Sequence, residues 1–347
     1  MKIAVVVYNL GGPEKKEDIK SFLFNLFSDP MIINLPTPLR WFLAKLISSR
    51  RAKLAQEIYE HLGGGSPLLQ NTIAQAEALN TTLSQDKDHV YKTFVAMRYW
   101  HPMTNQVAEQ VKSFQPDEII LLPLYPQFST TTVGSFIKVW KKAVDKIDLN
   151  CPTKTICCYP YEKGFIESIV SLIRKTNYLD DIIEKRILFS AHGLPQKIIN
   201  KGDPYQWQIE QTAKAIVKEI AVKDLDWVIC YQSRVGPLEW IGPSTEEEIT
   251  RAGDDGKSIV IVPIAFVSEH SETLVELDIE YKKYSEMAGV KSFFRVPTVS
   301  ISNEFINGLA RLVDVAHSES NFILSGDVKR ICPNGWDQCP CKEKDSK

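Results

Sequence analysis

The chain has 347 residues, 44% of them hydrophobic and 24% charged, the balance of a globular protein rather than a disordered one. At roughly 150 residues per domain, that length predicts about two domains with a sizeable buried core. Lys plus Arg number 41 against 43 Asp plus Glu, a net charge of −2, which excludes a global polyanion-binding role, so no nucleic-acid partner is expected.

The chain opens on a β-branched run, residues 3–8, that passes straight into Gly11-Gly12-Pro13. This apolar stretch is short for the core of an export signal and no small-residue cleavage site follows, so a cytoplasmic location is expected. No apolar run approaches the ~18 residues of a membrane span. Residues 31–56 carry Arg40, Lys45, Arg50, Arg51 and Lys53 and no acidic residue, beside Leu39, Trp41, Phe42, Leu43, Leu46 and Ile47. Such a segment suits a membrane surface or the lip of an apolar pocket, and equally an ordinary helix packed on a core. Gly63-Gly64-Gly65 completes neither a dinucleotide fingerprint nor a P-loop.

Further β-branched runs follow at 91–97, 118–124 and 153–158, then at 186–190, 227–231, 258–264 and 292–296. They are continuous rather than alternating, as in strands covered on both faces. Helical patterns lie between them, for example at 72–83, 104–114 and 206–220. Four strands and then four strands, each set alternating with helices, predict two doubly wound α/β domains. The expected division is 1–160, 161–310, and a C-terminal helix with a Cys-rich extension over 311–347.

In such folds ligands sit outside the carboxyl ends of the strands. The expected strand ends are rich in polar residues, Gly and Pro, and bring His101, His192 and His270 with several aromatics toward one shared cleft. His192 precedes Gly193 and Pro195 in a tight turn; it is either a proton acceptor near neutral pH or a structural histidine bonded to a loop. Residues 269–281, taken as an α-helix at about 100° per residue, place Glu269, Glu272, Glu276 and Glu280 within an arc of about 80°. Leu274, Leu277 and Tyr281 fall opposite. No Lys or Arg within the run relieves this acidic row, which is either a solvated face or a path for protons or a weakly held divalent cation.

Seven cysteines without an export signal argue against a disulfide framework. Cys332, Cys339 and Cys341 form a Cys-x6-Cys-x-Cys pattern that can converge on zinc or an iron–sulfur cluster, or can stay free in a tail. A fourth ligand would come from elsewhere, with the Cys157-Cys158 pair as candidate.

With these residues in view, the chain resembles the ferrochelatase family over nearly its whole length. The resemblance lies in Leu10-Gly11-Gly12-Pro13, Gly63-Gly64-Gly65-Ser66-Pro67-Leu68, Arg98-Tyr99-Trp100-His101-Pro102 and Tyr125-Pro126-Gln127-Phe128-Ser129. It continues through Ser190-Ala191-His192-Gly193-Leu194-Pro195, Gly202-Asp203-Pro204-Tyr205, Gln232-Ser233-Arg234-Val235-Gly236-Pro237 and residues 269–281. It implies two Rossmann-like domains, each with a four-stranded parallel sheet in a chelatase-like arrangement, with the porphyrin in a cleft between them. It implies insertion of ferrous iron into protoporphyrin IX, with His192 and Glu272 as catalytic residues. His192, Glu272, Glu276 and Glu280 become the route of iron or protons. Leu10, Arg98, Tyr99, His101, Tyr125, Ser129, Trp240 and His270 become substrate-binding positions. Residues 35–51 match the lip over which porphyrin enters from a membrane surface, so a peripheral membrane partner is implied.

Animal members carry a cluster cysteine after the Tyr-Pro-Gln motif. Here Phe128-Ser129-Thr130-Thr131-Thr132 offers no thiol, so their ligand set does not carry over. Some bacterial members resemble this chain instead, which implies a 2Fe–2S cluster on Cys158, Cys332, Cys339 and Cys341, with Cys157 the rival to Cys158. Coproporphyrin III as substrate, a sirohydrochlorin-type cobalt chelatase, a non-catalytic porphyrin or haem carrier, and monomer or homodimer all stay open at this point.

Overall fold

The computed structural model describes residues 1–176 and 184–341; the last residues expected in the Cys-rich extension, 342–347, lie outside them. The strands are β1 (Lys2–Asn9), β2 (Val90–Met97), β3 (Glu118–Pro123), β4 (Thr153–Cys158), β5 (Lys185–His192), β6 (Trp227–Gln232), β7 (Ser258–Pro263), β8 (Phe293–Arg295) and β9 (Ile323–Ser325). The chain divides into two compact units. One comprises Met1–Cys157 with Ala310–Leu324, the other Cys158–Leu309 with Ser325–Lys347.

The first unit is built on a sheet of order β2-β1-β3-β4-β9. β1 pairs in parallel with β2 (Val5 opposite Thr93) and with β3 (Val5 opposite Ile120), and β3 pairs in parallel with β4. Residues 3–9 of β1 and all of β3 are buried, which explains their unbroken apolar sequence. The expected four strands gain a fifth. β9 spans three residues near the C-terminus and is too short to stand out as an apolar run.

The second unit carries a sheet of order β6-β5-β7-β8, with β5 parallel to β6 and β7, and β7 parallel to β8. β7 is buried throughout. The first four strands of each unit repeat one winding: the chain crosses from its first strand to a neighbour on one side, then returns to the other. That reversal places a switch point at the carboxyl ends of β1 and β3 in one unit and of β5 and β7 in the other.

Candidate active site

The switch point of the second unit gathers the residues with the chemistry. His192 ends β5 and lies opposite Gln232, which ends β6. The Gly193 N–H donates to the Gln232 carbonyl at 2.8 Å. A Cβ on Gly193 would stand 2.9 Å from that oxygen and 3.4 Å from the Trp240 ring, so glycine lets the turn close behind the histidine. The Tyr205 hydroxyl donates to the His192 carbonyl at 3.0 Å and fixes the strand end from below.

The chain that leaves β7 supplies the partner groups. His270 donates from Nδ1 to the Ser268 carbonyl at 3.1 Å and sets its ring edge-on to Phe266. Residues Glu272–Tyr281 then form a π-helix, not the α-helix expected from the sequence. Its i→i+5 bonding gives more than four residues per turn, so Glu272, Glu276 and Glu280 at spacing four stay on one face. The acidic row is also not unrelieved. Arg295, at the end of β8, binds Asp278 through both oxygens (2.8 and 2.5 Å) and Glu269 at 2.5 Å. The compensating charge comes from a strand rather than from the helix itself.

His192 Nδ1 donates to Glu272 Oε2 at 2.9 Å, and His270 Nε2 stands 3.8 Å from the same oxygen. The two bonded side chains are enclosed by protein on most sides yet stay 37% and 25% exposed, as a group that meets a substrate must. Burial alone would lower the His192 pKa, but the Glu272 charge and hydrogen bond outweigh it and raise it above 6.5. Burial alone would raise Glu272; the two histidines reverse that and hold it well below the usual carboxylate range. Glu276 goes the other way. Burial and the Glu272 charge raise it, although Ser233 and Gln232 donate to it. Two carboxylates one turn apart are therefore shifted in opposite directions.

Glu276 is held from several directions. Gln232 Nε2 donates at 3.0 Å to its carboxylate and at 3.0 Å to the Glu272 carbonyl, while Gln232 Oε1 accepts from Ser190 Oγ at 2.8 Å. Ser233 donates from its backbone N–H at 2.7 Å and from its hydroxyl at 2.6 Å. Gln232 and Ser233 stood in the sequence only within the motif 232–237, with no role assigned to either, and Arg295 was not singled out. Glu280 is exposed to solvent. The Trp240 indole N–H is buried and has no acceptor among the described residues.

The first unit holds the remaining candidates. Arg98 and Tyr99 converge on buried Asp29, at 2.7 and 2.6 Å, where the Ser135 hydroxyl also donates. Tyr99 is 1% exposed, and its phenol pKa is raised by burial and by the Asp29 charge. Nothing in the sequence had marked Asp29. Leu10 packs on the cluster of Ile19, Phe22, Leu23, Tyr59 and Tyr99. His101 is exposed and meets Gln106 at 3.1 Å. Tyr125 is half-buried, and buried Ser129 closes its loop on Thr131 at 2.8 Å. The helix Thr37–Glu60 leaves Leu39, Trp41 and Phe42 exposed, with the Lys45 ammonium 5.0 Å from the Trp41 ring.

Among the cysteines, Cys158, Cys332 and Cys339 are buried and Cys341 is partly so. Gln208 Nε2 lies 3.4 Å from Cys158 Sγ and 3.2 Å from Cys332 Sγ. Hydrogen bonds from Cys332 and Cys341 and the charge of Arg330 hold the Cys339 thiol below its ordinary range, while the Cys332 thiol is raised. Cys157 neighbours Cys158 on β4, where successive side chains face opposite ways. Among the described residues, no group of three or more His, Cys, Asp or Glu side chains stands at metal-ligating geometry.

Comparison with known proteins places this geometry in a lineage. The structure of SirB from Bacillus subtilis with Fe3+ shares the fold, at TM-score 0.57 and 13% identity over 93% of this chain and 99% of that one. Ferrochelatase from Pelagibacter ubique (strain HTCC1062) is 51% identical, covering 98% of this chain and 99% of the relative. Ferrochelatase from Caulobacter vibrioides (strain NA1000 / CB15N) is 48% identical, covering 99% and 98%. Residues 2–317 match the family description Ferrochelatase, and the chain belongs to the ferrochelatase family, the metal chelatases that insert iron into porphyrin.

Proposed function

We propose that the chain inserts ferrous iron into protoporphyrin IX to form protohaem, with His192 as the base that takes the pyrrole protons. The observation that carries this is the His192–Glu272 pair at the end of β5, with Glu276 one turn behind it. Metallation releases two N–H protons from the macrocycle. Glu272 occupies His192 Nδ1, which leaves Nε2 as the site where a proton is accepted. The positive charge that follows is stabilised by a carboxylate that stays ionised. Glu276, held ready to carry a proton, takes the next position. Oxygen and imidazole donors hold ferrous iron weakly enough for it to move on as substrate. His270 and the unpaired Trp240 N–H are assigned to the substrate, with Leu10, Arg98, Tyr99, His101, Tyr125 and Ser129 forming or backing the porphyrin-binding surface of the first unit. Glu280 continues the acidic row outward for iron.

The helix Thr37–Glu60 supports a peripheral membrane contact. Leu39 and Phe42 are 60% and 65% exposed beside Arg and Lys side chains, the pattern of a helix lying at a lipid interface. Protoporphyrin, with two carboxylates, partitions to such a surface; coproporphyrin, with four, does not need it. Wild-type kcat/KM for protoporphyrin delivered from anionic vesicles is expected to exceed that for coproporphyrin in solution, and Phe42→Ser to lower only the former. A preference for coproporphyrin in the wild type would reverse the assignment.

A 2Fe–2S cluster is proposed on Cys158, Cys332, Cys339 and Cys341. The chemistry of the donors supports this: four sulfurs, with Cys339 favoured as thiolate and a Gln208 amide reaching two of them. Gln208 supports Cys158 over Cys157. When bound, the cluster would tie the C-terminal segment to the second unit, and no step of turnover passes through it.

A further inference from the structure

Behind Glu276 the hydrogen bonds do not stop. The Tyr281 hydroxyl, at the end of the π-helix, is 3.1 Å from Glu276 Oε1 and 3.4 Å from Glu246 Oε1. The Tyr281 ring is packed in a core of Leu188, Cys230, Ile249, Ala252, Ile261 and Leu277, and the residue is 4% exposed. Its hydroxyl is therefore held in place between the two carboxyl groups. Glu246 lies in the first turn of the helix Thr245–Asp254 and is half-buried, so it touches solvent as Tyr281 does not.

A phenol carries one proton. It can bond to two carboxyl groups fully only when one of them is protonated and donates to the phenol oxygen while the phenol donates to the other. When Glu276 has received a proton from the metallation site, the arrangement is Glu276 O–H to Tyr281, and Tyr281 O–H to Glu246.

We propose that Tyr281 and Glu246 are the outlet through which protons leaving the metallation site reach solvent. The Glu276 O–H bond breaks as a new O–H bond forms on Tyr281, while the Tyr281 proton passes to Glu246 Oε1. The net change is one proton moved from Glu276 to Glu246, with Tyr281 neutral before and after. Glu246 releases the proton to water, and rotation about the phenol C–O bond resets the chain. Exposed Glu280, the next acidic residue in the row, is not needed for this exit. The outlet presupposes that Glu276 receives protons in turnover, as read above.

Tyr281→Phe keeps the packed ring and removes only the relaying oxygen; Glu246→Gln keeps the shape and removes the acceptor. Each is expected to lower kcat about tenfold, with porphyrin KM unchanged. The solvent deuterium isotope effect on kcat should rise, and small imidazole buffers should restore the rate as their concentration increases. A purely structural role for Tyr281 would not produce buffer rescue. The double variant should be no slower than either single one. Wild-type kcat and isotope effect in both variants would overturn the outlet, as would a loss in Glu280→Gln with none in Glu246→Gln. Glu276→Gln separates the two levels. If it is slow while Tyr281→Phe is not, only the outlet fails; if it is itself at wild-type rate, the role of Glu276 fails first.

Discussion

Opposite pKa shifts on neighbouring groups give the site a definite pH behaviour. His192 must lose its proton before it can accept another, so kcat/KM is expected to climb with pH through its raised value, above 6.5. Glu272→Gln removes the charge that raises it. The acid limb of the profile should then move to lower pH while the maximum falls; an unmoved acid limb would detach His192 from the rate. The pair also contributes to stability. A lowered Glu272 gives stability that is complete above 4.5 and is lost as pH falls through its native value. A raised His192 gives stability that is complete below 6.5 and is lost as pH rises through its native value. The stability difference between wild type and Glu272→Gln is thus greatest between those pH values. His192 and Glu272 were legible in the sequence because one ends a strand before a glycine turn and the other belongs to an acidic row. Asp29 was not, because its partners Arg98, Tyr99 and Ser135 lie 69, 70 and 106 residues away and no local pattern announces them.

At the scale of elements, the continuous β-branched runs identified eight strand regions because both faces of each sheet are covered, three-residue β8 among them through the longer run 292–296. β9 escaped because no such run extends its three residues. The π-helix escaped for a different reason: a spacing of four acidic residues fits an α-helix and a π-helix alike, and only the bonding pattern separates them. What holds that wider helix in place is Arg295, 11% exposed, bonded to Glu269 before it and Asp278 within it. Arg295→Ala leaves two part-buried carboxylates without their cation. It is expected to cost about 3 kcal/mol in urea unfolding and to lower turnover through displacement of Glu272. Undiminished stability would show that the helix is anchored by its apolar face alone.

For the molecule as a whole, the two units wind their first four strands alike but carry different chemistry. The first holds an Asp29-centred network on the residues that follow β2, the second the histidine and carboxylates of the site at its switch point. The C-terminal stretch serves both, with 310–324 in the first unit and the cysteine segment in the second. The cysteine spacing was legible; the contact of Gln208 with Cys158 was not, since it depends on which face of β4 that thiol occupies. Wild type purified anaerobically is expected to show visible absorption and bound non-haem iron, and Cys339→Ser to lose both. A colourless, iron-free wild type would remove the cluster.

The most direct test of proton removal by His192 during iron insertion is anaerobic mixing of the protein with protoporphyrin IX and ferrous iron while porphyrin fluorescence is followed. Wild type should consume many equivalents of porphyrin per chain and form haem. His192→Ala should still bind porphyrin but turn over at least about a hundredfold more slowly. Porphyrin bound by wild type without conversion, or near-normal turnover in His192→Ala, would contradict it.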